Sequence, residues 1–315
     1  MTETLNWLLL NGAEILLGAW HAFKSAALWV WSVIDAVLNP ILSPLLSLLN
    51  PVCTRLGDAV YAVLGPLPVW LGLTLLSAVA GVVMLVAFRY TSNQAAIGRA
   101  KDDIKANLLA LKLYKDDLRV TFASQARILW AILRLQRYVL TPVLIMTLPM
   151  LLALAQMGVR YQWRPLHTGE RTLLRLLSAS PAAAAETARI EPNAGLIVEV
   201  GPIAGRSDIV WRVRGGLPGR HNLHITFGGT TLDKEVVVGE GFQRVSALRP
   251  GNRWTDQLLN PTESVIRTPV DVQAIEIEYP GVDSWVYGTN YWVVYFFLVS
   301  MAAALVFKPF FKVRF

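Results

Sequence analysis

Two histidines three positions apart, His221 and His224, are of the residue type that holds metal ions. They fall in a run that reads as a strand. Positions i and i+3 of a strand point to opposite faces, so one ion does not reach both. The glycine pairs Gly215-Gly216 and Gly228-Gly229 separate β-rich runs. They therefore read as hairpin turns, not as the strand-to-helix loop that cradles a phosphate. No Gly-x-Ser-x-Gly, Ser-x-x-Lys or His-Glu-x-x-His pattern occurs. Cys53 is the single cysteine. It excludes an internal disulfide or a cysteine cluster and reads as a buried free thiol. The residue chemistry leads us to expect no enzyme, no metal and no cofactor.

Charge is the stronger signal. Between residues 89 and 137 stand Arg89, Arg99, Lys101, Lys105, Lys112, Lys115, Arg119, Arg127, Arg134 and Arg137, against Asp102, Asp103, Asp116 and Asp117. Ile97, Ala100, Ile104, Leu108 and Leu111 recur at helical spacing, and Leu118, Phe122, Leu129 and Ile132 form a return stripe. Two antiparallel amphipathic helices, turning at Tyr114 to Asp117, would bury these stripes on each other. The solvated face carries Arg99, Lys101, Lys105, Lys112, Lys115, Arg119 and Arg127. It is either a docking surface for ribosome, nascent chain or anionic lipid, or the outside of a packing device.

What positions such a hairpin is set by composition. The 315 residues are 54% hydrophobic and 16% charged, with net charge +7, a pI of about 9.6 and a mean hydropathy of +0.44. Ordinary soluble domains carry about 25% charged residues. Three apolar runs are long enough to cross about 30 Å of hydrocarbon. They are Val69 to Phe88, Tyr138 to Met157 with Pro142 and Pro149 inside it, and Tyr291 to Phe307 behind the aromatic group Trp285, Tyr287, Tyr291 and Trp292. Lysine and arginine mark cytoplasmic loops. The hairpin and the tail with Lys308, Lys312 and Arg314 are then both cytoplasmic, and two spans between them satisfy the parity. Residues 1–65 stay open: Leu5 to Phe23 and Ser25 to Leu49 form either interfacial or re-entrant helices or a fourth span. The start Met1-Thr2-Glu3-Thr4 lacks the basic region of a cleavable signal peptide.

Between Leu196 and Tyr287 short β-rich runs alternate with turns. They are Leu196 to Val200, Asp208 to Arg214, His221 to Phe227, Leu232 to Val238, Phe242 to Leu248 and Val272 to Tyr279. This spacing reads as a small β-sandwich, preceded by a helix or linker at Pro181 to Thr187. The expected fold is an α-helical membrane core of three, possibly four, transmembrane helices, with a cytoplasmic antiparallel helical hairpin and an extracytoplasmic β-sandwich-like domain. The expected divisions are 1–67 (apolar interfacial or re-entrant helices), 68–90 (first span), 91–137 (hairpin), 138–158 (second span) and 159–189 (linker or helix). They continue with 190–288 (β-domain), 289–308 (third span) and 309–315 (tail).

The order of parts carries a resemblance. A proline-punctuated preface, Asn39-Pro40-Ile41-Leu42-Ser43-Pro44-Leu45-Leu46, leads to a spanning helix. Arg89-Tyr90-Thr91-Ser92-Asn93-Gln94, a charged two-helix hairpin and a proline-containing second span follow, and the third span ends in a basic tail. This resembles the YidC/Oxa/Alb superfamily of membrane-protein insertases, closest to its three-span archaeal and endoplasmic-reticulum branch. The resemblance covers residues 36–160, and the last span by position. The β-domain departs from it by interrupting the core between spans two and three. The resemblance implies a non-enzymatic insertase or chaperone with a partly hydrophilic intramembrane groove in the cytoplasmic (inner) membrane of a prokaryote. Its implied partners are nascent membrane-protein segments, ribosome or other membrane subunits, and anionic lipids, with no DNA. The groove candidates it points to are Thr74, Ser77 and Gly81 on one face of the first span, Gln156 in the second, and Arg89 at the cytoplasmic mouth. Small residues at such spacing equally serve helix packing. A non-catalytic scaffold subunit, binding an external partner through the β-domain, is the competing reading.

Overall fold

The computed structural model describes residues 2–113, 118–267, 272–284 and 291–311. The expected hairpin turn at 114–117, and with it Lys115, lies outside them. So do Trp285, Tyr287, Lys312 and Arg314. Among the described residues four helices are long and apolar enough to cross a membrane: Trp20–Leu64 within α1 (Thr2–Leu64), α2 (Val69–Thr91), Thr121–Tyr161 within α4 (Leu118–Tyr161) and α7 (Tyr291–Phe311).

The first correction concerns residues 1–67. Where the sequence suggests two separate helices, α1 runs 63 residues without a break, about 94 Å at 1.5 Å per residue. It passes through Pro40, Pro44 and Pro51. Proline removes a hydrogen-bond donor, and in long apolar helices packing neighbours compensate for this. Here Leu42, Leu46 and Leu49 pack with Leu148, Leu151 and Leu152 of α4 and with Leu258. That contact packs against the punctuated stretch, which stays helical throughout.

α2 and α7 lie against each other so closely that there is no room for a side chain at Gly81. A Cβ there would stand 2.1 Å from the Ser300 carbonyl oxygen. At one end of this pair Leu73, Met157, Tyr161, Trp292 and Phe296 form one buried cluster. At the other, Leu85, Phe88 and Met146 join Ile97 of α3 (Gln94–Leu113). The Asn93 side chain accepts from the Ala96 amide at 3.0 Å, starting α3 as an N-cap does.

The α3–α4 hairpin forms, with the expected face of α3 largely inward but a different face of α4. Ala96, Ile97, Ala100, Ser124 and Ala131 are buried, while Phe122, Leu129 and Ile132 of the expected return stripe are exposed, as is Leu108. Small residues let two helices approach closely, and the seam takes them in preference to the larger stripe. Arg134 and Asp103 bridge the arms at 3.6 Å. The larger apolar residues, with Leu109, Leu113, Trp130 and Leu133, lie on the outside.

The sheet domain begins after α4 with a tight turn. Glu170 takes both Arg164 Nη1 and Nη2 at 2.8 Å and the His167 amide at 2.9 Å. The Arg164 guanidinium holds the Glu170 carboxyl below its usual range. Then come β1 (Arg171–Ser178), α5 (Pro181–Thr187), β2 (Arg189–Ile190), β3 (Leu196–Ala204), β4 (Asp208–Gly215), β5 (Gly219–Phe227), β6 (Thr230–Val238), β7 (Leu248–Pro250), α6 (Trp254–Leu259) and β8 (Val272–Ile277). One antiparallel sheet has the order β3-β4-β1-β8-β7, the other β2-β5-β6. Leu174, Leu176, Ile209 and Trp211 from the first sheet share one core with Leu223, Ile225, Leu232 and Val236 from the second.

Two more corrections follow. Residues 159–189, read as linker or helix, contain β1, which pairs with both β4 and β8. Its sequence Arg-Thr-Leu-Leu-Arg-Leu-Leu-Ser has one β-branched residue, so its strand state comes from its neighbours and not from its own propensity. Phe242 to Leu248, read as a strand, is irregular up to β7. It is diverted to the helices: the Val245 amide donates to the Val159 carbonyl at 2.8 Å, and the Phe242 ring lies 5.1 Å from that of Tyr161.

Gly81→Leu is expected to separate α2 from α7, because the obstructing atoms are backbone. Thermal unfolding of the full chain in detergent should show a loss of about 3 kcal/mol, and Gly81→Ala a smaller loss.

Candidate functional site

The residues singled out in the sequence fall into two places. Thr74 Oγ1 donates to the Trp70 carbonyl at 2.7 Å and shares a 2.8 Å hydrogen bond with the Tyr295 hydroxyl. Ser77 is buried, its hydroxyl turned back on the Leu73 carbonyl at 2.6 Å. Together with Gly81 they make the α2–α7 seam. Gln156 turns to α1, donating to Thr54 Oγ1 at 3.0 Å. Arg89 sits at the far end of α2, its guanidinium 5.9 Å from the Tyr90 ring centroid. On the hairpin Arg99, Lys105, Lys112, Arg119 and Arg127 are exposed and Lys101 is half-buried. Leu108, Leu109, Phe122, Leu129 and Trp130 share the surface of the same two helices. The histidines part as strand geometry requires: His221 Nε2 meets the Leu217 carbonyl at 2.9 Å, and His224 Nδ1 meets Asp233 at 2.6 Å. Among the described residues no group of three or more His, Cys, Asp or Glu could hold a metal ion.

Sequence reading missed a polar ladder on α1. Asn39, Ser43, Asn50, Thr54 and Asp58 recur at steps of 4, 7, 4 and 4, which places them on one helical face. Each meets a partner. Asn39 Oδ1 accepts from the Trp254 amide at 2.8 Å. Ser43 Oγ accepts from Gln257 Nε2 at 2.7 Å. Asn50 Nδ2 donates to the Gln257 carbonyl at 2.8 Å, and Thr54 donates to the Pro261 carbonyl at 3.2 Å. Asp58 receives Arg160 of α4 on one oxygen and Arg244 of the sheet domain, at 2.8 Å, on the other. The signal was present as polar residues recurring every one or two turns in an apolar run.

Above the ladder, where α1, α2 and α4 meet the loop at 242–244, lies a cavity of about 480 Å³. Asp58, Arg160, Arg220 and Arg244 line its polar side, and Leu64, Leu67 and Val69 its apolar side. Arg160 is 4% exposed. It donates to the Gln156 carbonyl at 2.9 Å and lies 4.2 Å from the Tyr61 ring centroid. A buried guanidinium is tolerable only when paired in this way.

A second concavity, of about 420 Å³, opens between α2, α4 and α7. Met84, Met146, Met150 and Met301 line it with Gly81 and Phe88. The Thr147 and Ser300 hydroxyls at its wall are taken by carbonyls of their own helices, at 2.8 and 3.1 Å. The wall is therefore apolar and, through methionine, deformable.

One constellation has catalytic residue types. Lys234 Nζ donates to the Ser246 carbonyl at 2.7 Å and to Glu263, which also accepts from the Ser246 hydroxyl. Lys234 is 0% and Ser246 2% exposed. Burial pushes the Lys234 ammonium down and Glu263 opposes this. With no solvent path to the lysine and every donor engaged within the domain, this group staples β6 to the segments at 246 and 263.

The ion triad at the ladder's end makes an asymmetric forecast. Arg160→Met leaves Asp58 paired with Arg244, whereas Asp58→Asn leaves the buried Arg160 charge without its carboxylate. Thermal unfolding of both variants should therefore show the larger loss, about 2 kcal/mol, for Asp58→Asn.

Comparison of the chain with family models, with curated proteins and with solved structures finds no significant match.

Proposed function

We propose that the protein is a membrane-protein insertase or chaperone that shelters apolar segments in the methionine-lined groove between α2, α4 and α7. The groove is the observation that carries this reading. It lies among three helices fit to span a membrane and is open on one side. Its four methionines offer contact without demanding one shape, as a receptor for varied apolar helices requires. In the expected placement the basic hairpin is at the cytoplasmic face and the sheet domain on the other side of a prokaryotic inner membrane. With α1 as a fourth span, its start is cytoplasmic as well. The hairpin's exposed arginines and lysines beside exposed Leu108, Phe122 and Trp130 suit an approach by ribosome, nascent chain or anionic lipid. The order of these parts is what resembles the YidC/Oxa/Alb superfamily. Thr74, Ser77 and Gly81 serve this reading as the seam that fixes one groove wall, with Arg89 at its hairpin end. Gln156 belongs to the α1 contact.

A second reading, a scaffold subunit of a membrane complex, draws on β3. This strand is the edge of its sheet and exposes Ile197, Val198, Val200 and Ile203. An apolar free edge is where an added strand pairs.

Reconstitution in liposomes separates the two. A membrane substrate with a short translocated tail should insert more with the protein present than in empty vesicles. Ala304→Trp, which fills the groove from α7, should lower insertion severalfold while the protein still unfolds in one cooperative thermal transition. Equal insertion with and without the protein would reject the insertase reading and leave the scaffold.

A further inference from the structure

The junction cavity has features that neither the ladder nor the groove explains. Its charges do not balance. Arg160, Arg220 and Arg244 supply three positive charges against Asp58 and Glu235, which pairs with Arg220 at 3.1 Å and Arg244 at 3.5 Å. One positive charge remains over. Arg244 Nε is buried and has no hydrogen-bond partner, although both Nη groups of the same side chain are engaged. A buried N–H without an acceptor costs about 1–3 kcal/mol. Asp58 faces the same space, but each of its oxygens already takes an arginine. The opposite wall is the turn between α1 and α2, with Leu64, Leu67 and Val69 beside Gly65 and Pro68. A polar pocket thus opens beside an apolar lip, at the end of two helices fit to span a membrane.

We propose that this cavity binds a phosphate ester, with the guanidinium groups of Arg220 and Arg244 as its donors. Guanidinium forks match phosphate oxygens in geometry and charge. A volume of about 480 Å³ accommodates a phosphoglycerol head, and the lip at Leu64 and Leu67 suits the start of acyl chains. The site lies at the end of the spans opposite the basic hairpin and does not depend on the insertase reading. The lipid source requires only that α1 and α2 cross a membrane.

The test uses the full chain in detergent, freed of lipid, with thermal unfolding as the readout, because a ligand of the folded state raises the transition. Three probes are titrated: phosphatidylglycerol, diacylglycerol with no phosphate, and inorganic phosphate. Phosphatidylglycerol should raise the unfolding temperature and diacylglycerol should not. Arg220→Gln, at the exposed rim, should change the lipid-free unfolding temperature little, since its ion pair with Glu235 is exposed on the arginine side, and should weaken phosphatidylglycerol binding about tenfold, or about 1.4 kcal/mol. Arg220→Lys should recover part of that loss. Lys105→Gln with Lys112→Gln, on the hairpin, should leave it intact. Stabilisation by phosphatidylglycerol alone identifies a lipid headgroup. Stabilisation by inorganic phosphate as well, with the same Arg220 dependence, identifies a soluble phosphate source. No stabilisation by either, or stabilisation that Arg220→Gln leaves unchanged, overturns the proposal.

Discussion

A polar side chain carried on an apolar helix is costly unless paired, and one face of α1 pairs five of them with other elements. This constraint organises the molecule. Asn39, Ser43, Asn50, Thr54 and Asp58 have partners in α6, in the 261 region, in α4 and in the loop at 244. The face that would be costly in hydrocarbon is thereby turned inward. α4 is held on the same side of α1, and the sheet domain is docked by α6 and Arg244 onto helices that precede it by two hundred residues. Irregular backbone at 242–247 follows from the same demand, since a strand there would withdraw Phe242 and Arg244 from the junction.

The apolar contacts complete what the ladder begins. α2 and α7 are joined by a seam of small and hydroxyl-bearing residues, with Gly81 at its closest point. The hairpin closes on alanines and Ser124. Both seams spend the small residues on contact and leave larger apolar groups outside. On the hairpin that outside is Leu108, Phe122, Leu129 and Trp130. Between the spans it is the methionine wall. The proposed handling of apolar segments rests on these leftover surfaces, and the proposed phosphate site rests on the charge left over at the junction.

Much of this was legible in the sequence where a whole segment shares one character. The long apolar helices α2, α4 and α7 showed in apolar runs, the hairpin in its charge and period, and the strands β4, β5 and β6 in alternation and glycine-bounded turns. What was hidden depends on partners far along the chain. β1 lay in a segment read as linker or helix and becomes a strand because β4 and β8 flank it. The return arm of the hairpin was assigned from apolar residues at helical spacing, whereas the face turned inward carries Ser124 and Ala131. Proline spacing on α1 suggested breaks, because the leucines of α4 that pack against it lie about a hundred residues away. The groove candidates were chosen for small and polar side chains on one face of α2. Their hydroxyls turned out to be used up by α2 itself and by Tyr295, and Gln156 faces α1. The ladder had a signal, polar residues in register along an apolar helix, which is visible once α1 is taken as continuous.

The ladder is best tested by a single cross-link in the membrane. Ser43 and Asn252 meet at 3.4 Å between their side-chain oxygens, across the contact of α1 with the start of α6. With Cys53 replaced by alanine, Ser43→Cys and Asn252→Cys should form a disulfide rapidly under mild oxidation, while Leu48→Cys, on the exposed face of α1, should not link to the same partner. Failure of the 43–252 pair to join, or equal linking from position 48, would contradict the placement of α1 on which the whole account depends.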